Sequence, residues 1–360
     1  MSKLIPQTTG LQRVQPRFRL KRHQAGTAAS PLRVVADFGR NPGMLGMQCF
    51  VPAGLAAGAP LVVVLHGCQQ DPAGYDAGTG WSALAARHGF ALLYPAQQTG
   101  NNPLNCFKWY EPSATARQGG EVESILAMIE YMVAREGVDP RRVFVTGLSA
   151  GGAMAGSLLA SAPDAFAAGA IIAGLPHGVA GSVNEALQVM RRPPALTATA
   201  WGDKVRAAHP HHGTRPRVSI WHGTADGTVH YANAEAQLVQ WADVLGVVLA
   251  HGETETTSTH ARRIWRDEAG LPMLELWSVT GMAHGAPIAP LAAEQAHRLG
   301  QPAPFILDTD LSSTWHIAKG WGLLETPARQ DRVAPTPEQP RPASGIGAII
   351  EKALRDAGLR

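Results

Sequence analysis

Short apolar runs rich in β-branched residues recur along the chain and alternate with stretches of helical periodicity. The run 61–65 (LVVVL) is continuous, as expected for a strand buried on both faces of a sheet. Similar runs occupy 91–95, 143–145, 170–173, 218–221 and 274–279. Residues 81–88 and 121–136 read as helices, the second with one apolar stripe. Strands that alternate with helices predict an α/β fold, a mostly parallel sheet with helices on both faces.

Composition narrows the class of protein. Hydrophobic residues make up 45% of the 360 residues and charged residues only 16%, which supplies ample material for a large core. The 39 glycines and 27 prolines indicate a turn-rich globular fold. These figures exclude a coiled coil, a disordered polyampholyte, a disulfide-dense mini-protein and a collagen-like rod. Three cysteines, an odd and small number, fit a reducing compartment, and in another compartment one pair could form a disulfide.

The pattern divides the chain into four segments. Residues 1–40 form a basic N-terminal arm, and residues 41–325 form the α/β domain. Within that domain, residues 175–216 are rich in Gly, Pro, His and Arg and predict an insertion over one edge of the sheet. Residues 326–344 hold five prolines and read as a linker. Residues 345–360 carry one apolar stripe and predict an amphipathic C-terminal helix.

The terminal segments bear on partners and location. The arm lacks interleaved aromatic residues, so we interpret it as a solvated leader and expect no nucleic-acid partner. The C-terminal helix either packs on the domain or contacts a partner or a hydrophobic particle. No apolar run reaches the ~18 residues of a transmembrane segment. The first 30 residues contain no continuous apolar stretch typical of a secretory signal, so we expect a cytoplasmic protein.

The strongest chemical signal is a serine between glycines. Residues 147–152 read Gly-Leu-Ser-Ala-Gly-Gly, directly after the strand-like run 143–145 and before a small-residue helical stretch. This context predicts a nucleophile elbow, in which a tight strand-to-helix turn raises the hydroxyl of Ser149 above the sheet. Gly147 and Gly151 are small because side chains there would collide across the turn. The helix N-terminus adds positive potential where negative charge develops.

A serine nucleophile needs a base, and the base needs an orienting carboxylate. In this kind of sheet the order along the chain is Ser, acid, His. Asp226 follows the run 218–221, and His284 follows the run 274–279 between small residues. Asp203 and Asp243 are weaker candidates for the acid.

An oxyanion hole requires two aimed N–H donors. One should be the amide of Ala150, directly after the nucleophile. The other should come from the loop after the first long strand, where Cys68 follows His66 and Gly67. Cys68 would act through its backbone N–H. This chemistry requires no metal or organic cofactor, and His209, His211 and His212 lie in a Pro-rich loop without a second group of ligands.

Six motifs, in consistent order over about residues 40–325, resemble the PHB esterase family. They are HGCQQ at 66–70, GTGW at 78–81, YP at 94–95, NCFKWY at 105–110, GLSAGG at 147–152 and SIWHG at 219–223. That family contains poly(3-hydroxybutyrate) depolymerases with the extracellular type 1 catalytic domain, and the related feruloyl and acetylxylan esterases.

The resemblance implies an α/β-hydrolase fold and an ester-hydrolysing triad of Ser149, Asp226 and His284. It also implies oxyanion donors at Cys68 and Ala150. In similar secreted proteins the cysteines that match Cys68 and Cys106 pair, and an extracellular location is the alternative to the cytoplasm. Family members carry aromatic residues near the cleft where this chain has Trp109 and Tyr110.

The leading functional hypothesis is hydrolysis of short-chain polyhydroxyalkanoate esters or oligomers, with a polyester or small ester as partner. Trp109 and Tyr110 then either press against an aliphatic ester chain or belong to the core. An aryl or acetyl ester of a plant carbohydrate is the alternative substrate. A granule-associated adaptor with a vestigial hydrolase fold and a serine peptidase on the same fold are hypotheses from other classes. Chain-length preference and oligomeric state do not follow from the sequence.

Overall fold

The computed structural model of the protein describes residues 30–324. Most of the predicted basic arm, the Pro-rich linker 326–344 and the C-terminal helix 345–360 lie outside the described residues.

A ten-stranded sheet runs through the centre of the molecule in the order β1-β2-β4-β3-β5-β6-β7-β10-β9-β8. Its strands are β1 (Arg33–Val35), β2 (Gly46–Phe50), β3 (Leu61–Leu65), β4 (Ala91–Ala96), β5 (Val143–Leu148), β6 (Ala168–Ile172), β7 (Arg217–Gly223), β8 (Glu253–Thr256), β9 (His260–Arg266) and β10 (Pro272–Val279). The neighbours from β4 to β10 in this order are parallel. They coincide with the six runs singled out in the sequence, which confirms the α/β fold with a mostly parallel sheet.

Helices cover both faces of this sheet. They are α1 (Pro72–Thr79), α2 (Trp81–His88), α3 (Pro112–Thr115), α4 (Glu121–Glu136), α5 (Ala150–Ser161), α6 (Val183–Arg191), α7 (Ala198–Ala208), α8 (Ala232–Leu245) and α9 (Ser313–Gly320). Alternate residues of the strands feed two separate apolar clusters, with Val63 in one and Val62 in the other. The two-sided cover explains why β3 is buried at every position and consists of Leu and Val alone.

The segment predicted as an insertion over a sheet edge has a different position. Residues 175–216 connect β6 to β7, which are neighbours inside the sheet, and they contain α6 and α7. Helix α6 buries Ala186 and Val189 in a small cluster with Trp109 and Ala150. The insertion therefore covers the end of the sheet at which the serine lies.

The two edges of the sheet are antiparallel, which the sequence pattern did not indicate. At one edge β1 pairs with β2, and at the other β9 pairs with β10 and β8. Strand β1 lies within residues 1–40, so the sheet begins inside the segment assigned to the basic arm. Within residues 30–324, the helices are all too short or too polar to cross a bilayer.

Parallel strands bring their carboxyl ends to one edge of the sheet. The loops after β3, β5, β7 and β10 therefore lie side by side. A small second sheet joins the same region, in which β11 (Ala286–Ile288) pairs in parallel with β12 (Ile306–Asp308).

Candidate active site

Ser149 lies at a sharp turn between β5 and α5. Its backbone has φ 56° and ψ −116°, a left-handed conformation that is rare for residues other than glycine. The turn is held from both sides, because the N–H of Ser149 donates to the carbonyl of Ile172 at 2.9 Å and its carbonyl accepts from Ala153 at 2.8 Å. A strained residue retained by its surroundings is typical of a reactive site.

The glycines around Ser149 are required by contact distances. A Cβ at Gly147 would lie 2.4 Å from the carbonyl oxygen of Gly151. A Cβ at Gly151 would lie 2.5 Å from the carbonyl oxygens of Leu65 and His66. The predicted collision across the turn is therefore present, and it extends to the loop after β3.

The imidazole of His284 connects Ser149 to Asp226. Its Nδ1 lies 2.7 Å from Oδ2 of Asp226, and its Nε2 lies 2.9 Å from Oγ of Ser149. Because a carboxylate only accepts, Nδ1 donates to Asp226 and Nε2 accepts the hydroxyl proton of Ser149. This chain of hydrogen bonds is the arrangement in which a serine hydroxyl can lose its proton as it attacks a carbonyl.

The loops that carry the acid and the base pack directly on each other. A Cβ at Gly223 would lie 2.1 Å from the carbonyl oxygen of Met282, so only glycine permits this approach. The N–H of Ala225 donates to the same carbonyl at 3.1 Å. The N–H of Gly281 donates to Oγ1 of Thr224 at 2.9 Å. These contacts fix the position of Asp226 relative to His284.

Asp226 is almost completely buried and accepts hydrogen bonds on both oxygens. Its Oδ1 accepts from the N–H groups of Thr228 and Val229, both at 2.8 Å. Burial alone would raise the pKa of this carboxyl, but the hydrogen bonds from His222 and His284 outweigh burial and hold the pKa below its ordinary value. The acid is therefore anionic when it faces the imidazole.

His222 is a contact of the acid that the sequence analysis missed. This fully buried residue of β7 places Nε2 at 2.8 Å from the carbonyl of Val229 and at 3.3 Å from Oδ2 of Asp226. Both partners are acceptors, so Nε2 carries the proton. Among the described residues, none bonds to its Nδ1. In the sequence, His222 stands within the SIWHG motif at 219–223, four residues before Asp226, where it resembles a core residue of a strand.

Asp203 and Asp243, the weaker acid candidates, lie elsewhere. Both pair with Arg206, at 2.8 Å and 2.7 Å respectively, on helices α7 and α8.

Hydrogen bonds anchor the loop after β3 close to the serine. Nδ1 of His66 donates to the carbonyl of Gly67 at 2.8 Å, and its Nε2 accepts from the N–H of Gln97 at 3.2 Å. Burial lowers the pKa of His66, which is consistent with this neutral form. The N–H of Gly67 donates to Oε1 of Gln70 at 2.8 Å. Within residues 30–324, no carbonyl accepts the N–H of Cys68.

The amide of Ala150 is the second predicted donor. Ala150 is the first residue of α5, where a backbone N–H has no partner within the helix. Cys68 packs against the cluster that contains Ala150. The two predicted oxyanion donors thus lie in the two segments that meet at Gly151.

A disulfide bond joins Cys68 to Cys106, with the Cα atoms 4.3 Å apart. It ties the loop after β3 to the segment that carries the predicted substrate residues. Trp109 is 8% exposed and lies in the cluster with Ala150, and its ring meets that of Tyr110 edge to face at 5.6 Å. Trp109 is therefore almost fully buried, whereas Tyr110 is half-buried.

A buried carboxyl lies beneath this segment. Glu121, at the start of α4, accepts from the N–H of Lys108 at 2.9 Å and from Nε2 of Gln97 at 2.7 Å. Burial raises its pKa to about 7, although both hydrogen bonds oppose the shift.

Among the described residues, no three His, Cys, Asp or Glu side chains are grouped as metal ligands.

An open groove of about 580 Å³ lies between α6 and the loop after β7, which also carries Asp226. Its lining residues are Leu187, Gln188, Met190, Arg191, Gly227 and Thr228. The side chain of Leu187 is 57% exposed, so this part of the site presents apolar surface to solvent.

Known proteins with this sequence pattern are ester hydrolases. The chain is 40% identical over 294 residues to poly(3-hydroxyalkanoate) depolymerase C of Paucimonas lemoignei. The aligned region covers 81% of this chain and 70% of that protein. It is 36% identical to feruloyl esterase B of Thermothelomyces thermophilus, over 61% of this chain and 77% of that enzyme.

A solved structure agrees with this result. The acetyl xylan esterase from Aspergillus awamori superposes with a TM-score of 0.65 at 28% identity, over 70% of this chain and 93% of that one. The sequence profile of the family described as esterase PHB depolymerase matches residues 45–266. The α/β-hydrolase fold and the resemblance seen in the sequence are thereby confirmed, and this chain belongs to the PHB depolymerase family of esterases.

Proposed function

We propose that the protein is a serine esterase that hydrolyses short-chain polyhydroxyalkanoate esters or oligomers through Ser149. The single observation that carries the proposal is the hydrogen-bonded chain from Ser149 through His284 to Asp226. The substrate class is supported by the 40% identity to a depolymerase of poly(3-hydroxyalkanoates).

The reaction has two acyl-transfer steps. Oγ of Ser149 attacks the ester carbonyl carbon while its proton passes to Nε2 of His284. Asp226 holds the imidazole tautomer and balances its charge. The N–H groups of Cys68 and Ala150 donate to the oxyanion of the tetrahedral intermediate.

Collapse of that intermediate breaks the bond between the carbonyl carbon and the alcohol oxygen. His284 returns its proton to the departing alkoxide, and the acyl group remains esterified to Ser149. A water molecule then attacks the acyl-enzyme, again with His284 as base, and releases the carboxylic acid and the free serine.

The test combines active-site labelling with turnover. A fluorophosphonate should label the protein, and Ser149→Ala should abolish both labelling and ester hydrolysis with an almost unchanged melting temperature. Ser157→Ala is the matched control, because Ser157 lies on the same helix and also contacts a histidine, His177, at 3.1 Å. Labelling that persists in Ser149→Ala, or ester hydrolysis that survives it, would contradict the proposal.

A substrate panel then separates the candidate functions. It compares hydroxybutyrate oligomers, amorphous and crystalline polymer, feruloyl esters, acetylated xylan, p-nitrophenyl butyrate and a peptide amide. We expect the highest kcat/KM on the oligomers. Preference for feruloyl or acetyl esters would favour the carbohydrate-esterase alternative, amide hydrolysis without ester hydrolysis would favour a peptidase, and no turnover would favour an adaptor.

The cellular location of the protein is a separate prediction. A disulfide between Cys68 and Cys106 supports the extracellular alternative over the cytoplasmic location, because thiols are kept reduced in the cytosol. Alkylation of the native and the reduced protein, followed by mass spectrometry of the protein isolated from its source, would distinguish the two.

A further inference from the structure

We propose that Phe305 forms the wall of the substrate site against which the alcohol portion of the ester lies, and that it makes the enzyme select apolar alcohols. This inference rests on the proposed esterase function. It adds a residue that contacts the alcohol side of the ester bond that is cleaved. Nothing in the sequence pattern singled out Phe305.

The backbone at Phe305 has a conformation that is unusual for an aromatic residue. Ala303 and Ile306 exchange two hydrogen bonds, of 3.2 Å and 2.9 Å, around Pro304 and Phe305. Phe305 has φ +63°, and the third position of a turn with proline at the second is normally glycine when φ is positive. A large aromatic residue is therefore kept in a conformation that disfavours it, which points to a role of the side chain.

The ring of Phe305 lies next to the imidazole of His284. The Phe305 ring meets the ring of His284 at 74° with the centroids 6.0 Å apart. The carbonyl of Phe305 accepts from the N–H of Ala286 at 2.9 Å, two residues after His284. A Cβ at Gly285 would lie 2.8 Å from that same carbonyl oxygen. The turn is thus attached directly to the loop that carries the base.

The turn is also attached to the predicted oxyanion loop. Nε2 of Gln70 donates to the carbonyl of Pro304 at 3.1 Å, and Oε1 of Gln70 accepts from the N–H of Gly67 at 2.8 Å. One glutamine side chain therefore joins the Phe305 turn to the loop of Cys68. Despite these two attachments Phe305 remains 38% exposed, so its ring presents apolar surface to solvent.

The chemistry assigns this wall to the alcohol. In the proposed reaction, Nε2 of His284 delivers its proton to the departing alkoxide, so the alcohol portion begins within hydrogen-bond distance of that imidazole. Among residues 30–324, Phe305 is the aromatic side chain whose ring meets that of His284, whereas Trp109 packs with Ala150 on the nucleophile helix. A phenyl ring offers dispersion and apolar burial to alkyl or aryl groups, and it has no hydrogen-bonding group for a sugar hydroxyl.

The experiment uses two series of esters with the full-length protein. The first series holds the acyl group as acetate and varies the alcohol from methyl to butyl, hexyl and benzyl. The second holds the alcohol as p-nitrophenol and varies the acyl group from acetyl to hexanoyl. In Phe305→Gly, the ratio of kcat/KM for hexyl acetate to that for methyl acetate should fall about tenfold, the size expected when one apolar contact is lost. The ratios across the acyl series should stay within about twofold.

The control variants separate a substrate contact from a structural role. Phe305→Gly places glycine at a positive φ and so relieves strain rather than adding it. Met44→Gly is the matched control, because Met44 is likewise a large exposed side chain, 66% exposed, with φ +53°. It should leave both series unchanged, and Phe305→Trp should retain the preference for hexyl acetate.

Each outcome decides the inference. An equal loss on every ester in Phe305→Gly, an unchanged alcohol ratio, or a change confined to the acyl series would overturn it while leaving the esterase function intact. A wild-type protein that hydrolyses no ester of either series would overturn the proposed function itself, and this inference with it.

Discussion

The triad and the residues around its opening are built in different ways. We call Ser149, Asp226 and His284 the triad, and Trp109, Tyr110, Phe305 and helix α6 the rim. Both oxygens of Asp226 and both ring nitrogens of His284 take part in hydrogen bonds, and a Cβ at Gly147, Gly151 or Gly223 would collide with backbone.

Part of the rim instead presents apolar side chains to solvent, with Phe305 38% and Leu187 57% exposed. A polar arrangement with every partner specified tolerates one geometry, whereas apolar surface accepts many shapes. We therefore expect the triad to determine whether an ester is cleaved, and the exposed part of the rim to determine which ester. Substitutions in the triad and in the rim test the two sides of this comparison.

The largest effect is expected at the acid of the triad. Asp226→Asn places an amide N–H against Nδ1 of His284 and so favours the wrong imidazole tautomer, and we expect kcat to fall about 10⁴-fold. Steady-state kinetics on p-nitrophenyl butyrate measure this loss. Asp243→Asn is the matched control and should change kcat less than twofold, since Asp243 pairs with Arg206 instead. The opposite ranking of the two variants would show that the acid is misassigned.

At the rim, Trp109 is expected to matter mainly for stability. It is 8% exposed, and truncation of a buried tryptophan to alanine costs about 3–5 kcal/mol. Trp109→Ala should therefore lower the free energy of unfolding in urea by that amount, while Tyr110→Ala costs less because Tyr110 is half-buried. Full stability of Trp109→Ala together with altered acyl-chain selectivity would assign Trp109 to the substrate alone.

His222 is expected to position the triad acid. Loss of one hydrogen bond to a charged group costs about 1.5–3 kcal/mol, so His222→Ala should lower kcat/KM about 10–100-fold. Without this donor the pKa of Asp226 rises, and the reaction requires this carboxyl as an anion. The acidic limb of the pH profile should then move to higher pH.

His222→Gln offers an N–H donor in a side chain of similar reach and should recover most of the activity. A loss of activity in His222→Ala with an unmoved acidic limb would reduce His222 to a packing residue.

The smallest effect is a pH dependence of stability that arises beneath the rim. Folding raises the pKa of Glu121 from 4.5 to about 7, so the folded state binds the proton more tightly than the unfolded state. The stability from this group is therefore fully present below pH 4.5 and is lost as the pH rises through 7. The Tm of wild type should fall relative to that of Glu121→Gln between pH 4.5 and 8. Parallel Tm curves would contradict the shift.

Much of the fold was predictable from local patterns. Each of the six apolar runs became a parallel strand, and α2 and α4 have the predicted bounds of 81–88 and 121–136. A strand buried on both faces is a continuous apolar run, and a helix with one apolar stripe has apolar residues at a period of about 3.6. Both patterns can be recognised in the sequence. The antiparallel edge strands were not predicted from the sequence. Strand β9 (His260–Arg266), for example, carries three arginines and has no continuous apolar run.

The site was predictable only in part, and for a related reason. Ser149, Asp226 and His284 each follow a strand of the parallel sheet, so their order along the chain indicated that they would meet. His222 looked like a core residue of β7, and Phe305 lies in a short turn with no periodicity at all.

By itself, the sequence determined which segments are buried strands, where the elbow lies and which loops leave the carboxyl edge of the sheet. These are local properties, because they depend on side-chain periodicity and on steric limits within a few residues. Only the tertiary structure decided that α6 covers the site, that a second histidine contacts Asp226, and that an aromatic ring meets His284. Such contacts join residues far apart in the chain, and packing selects them after the local elements exist.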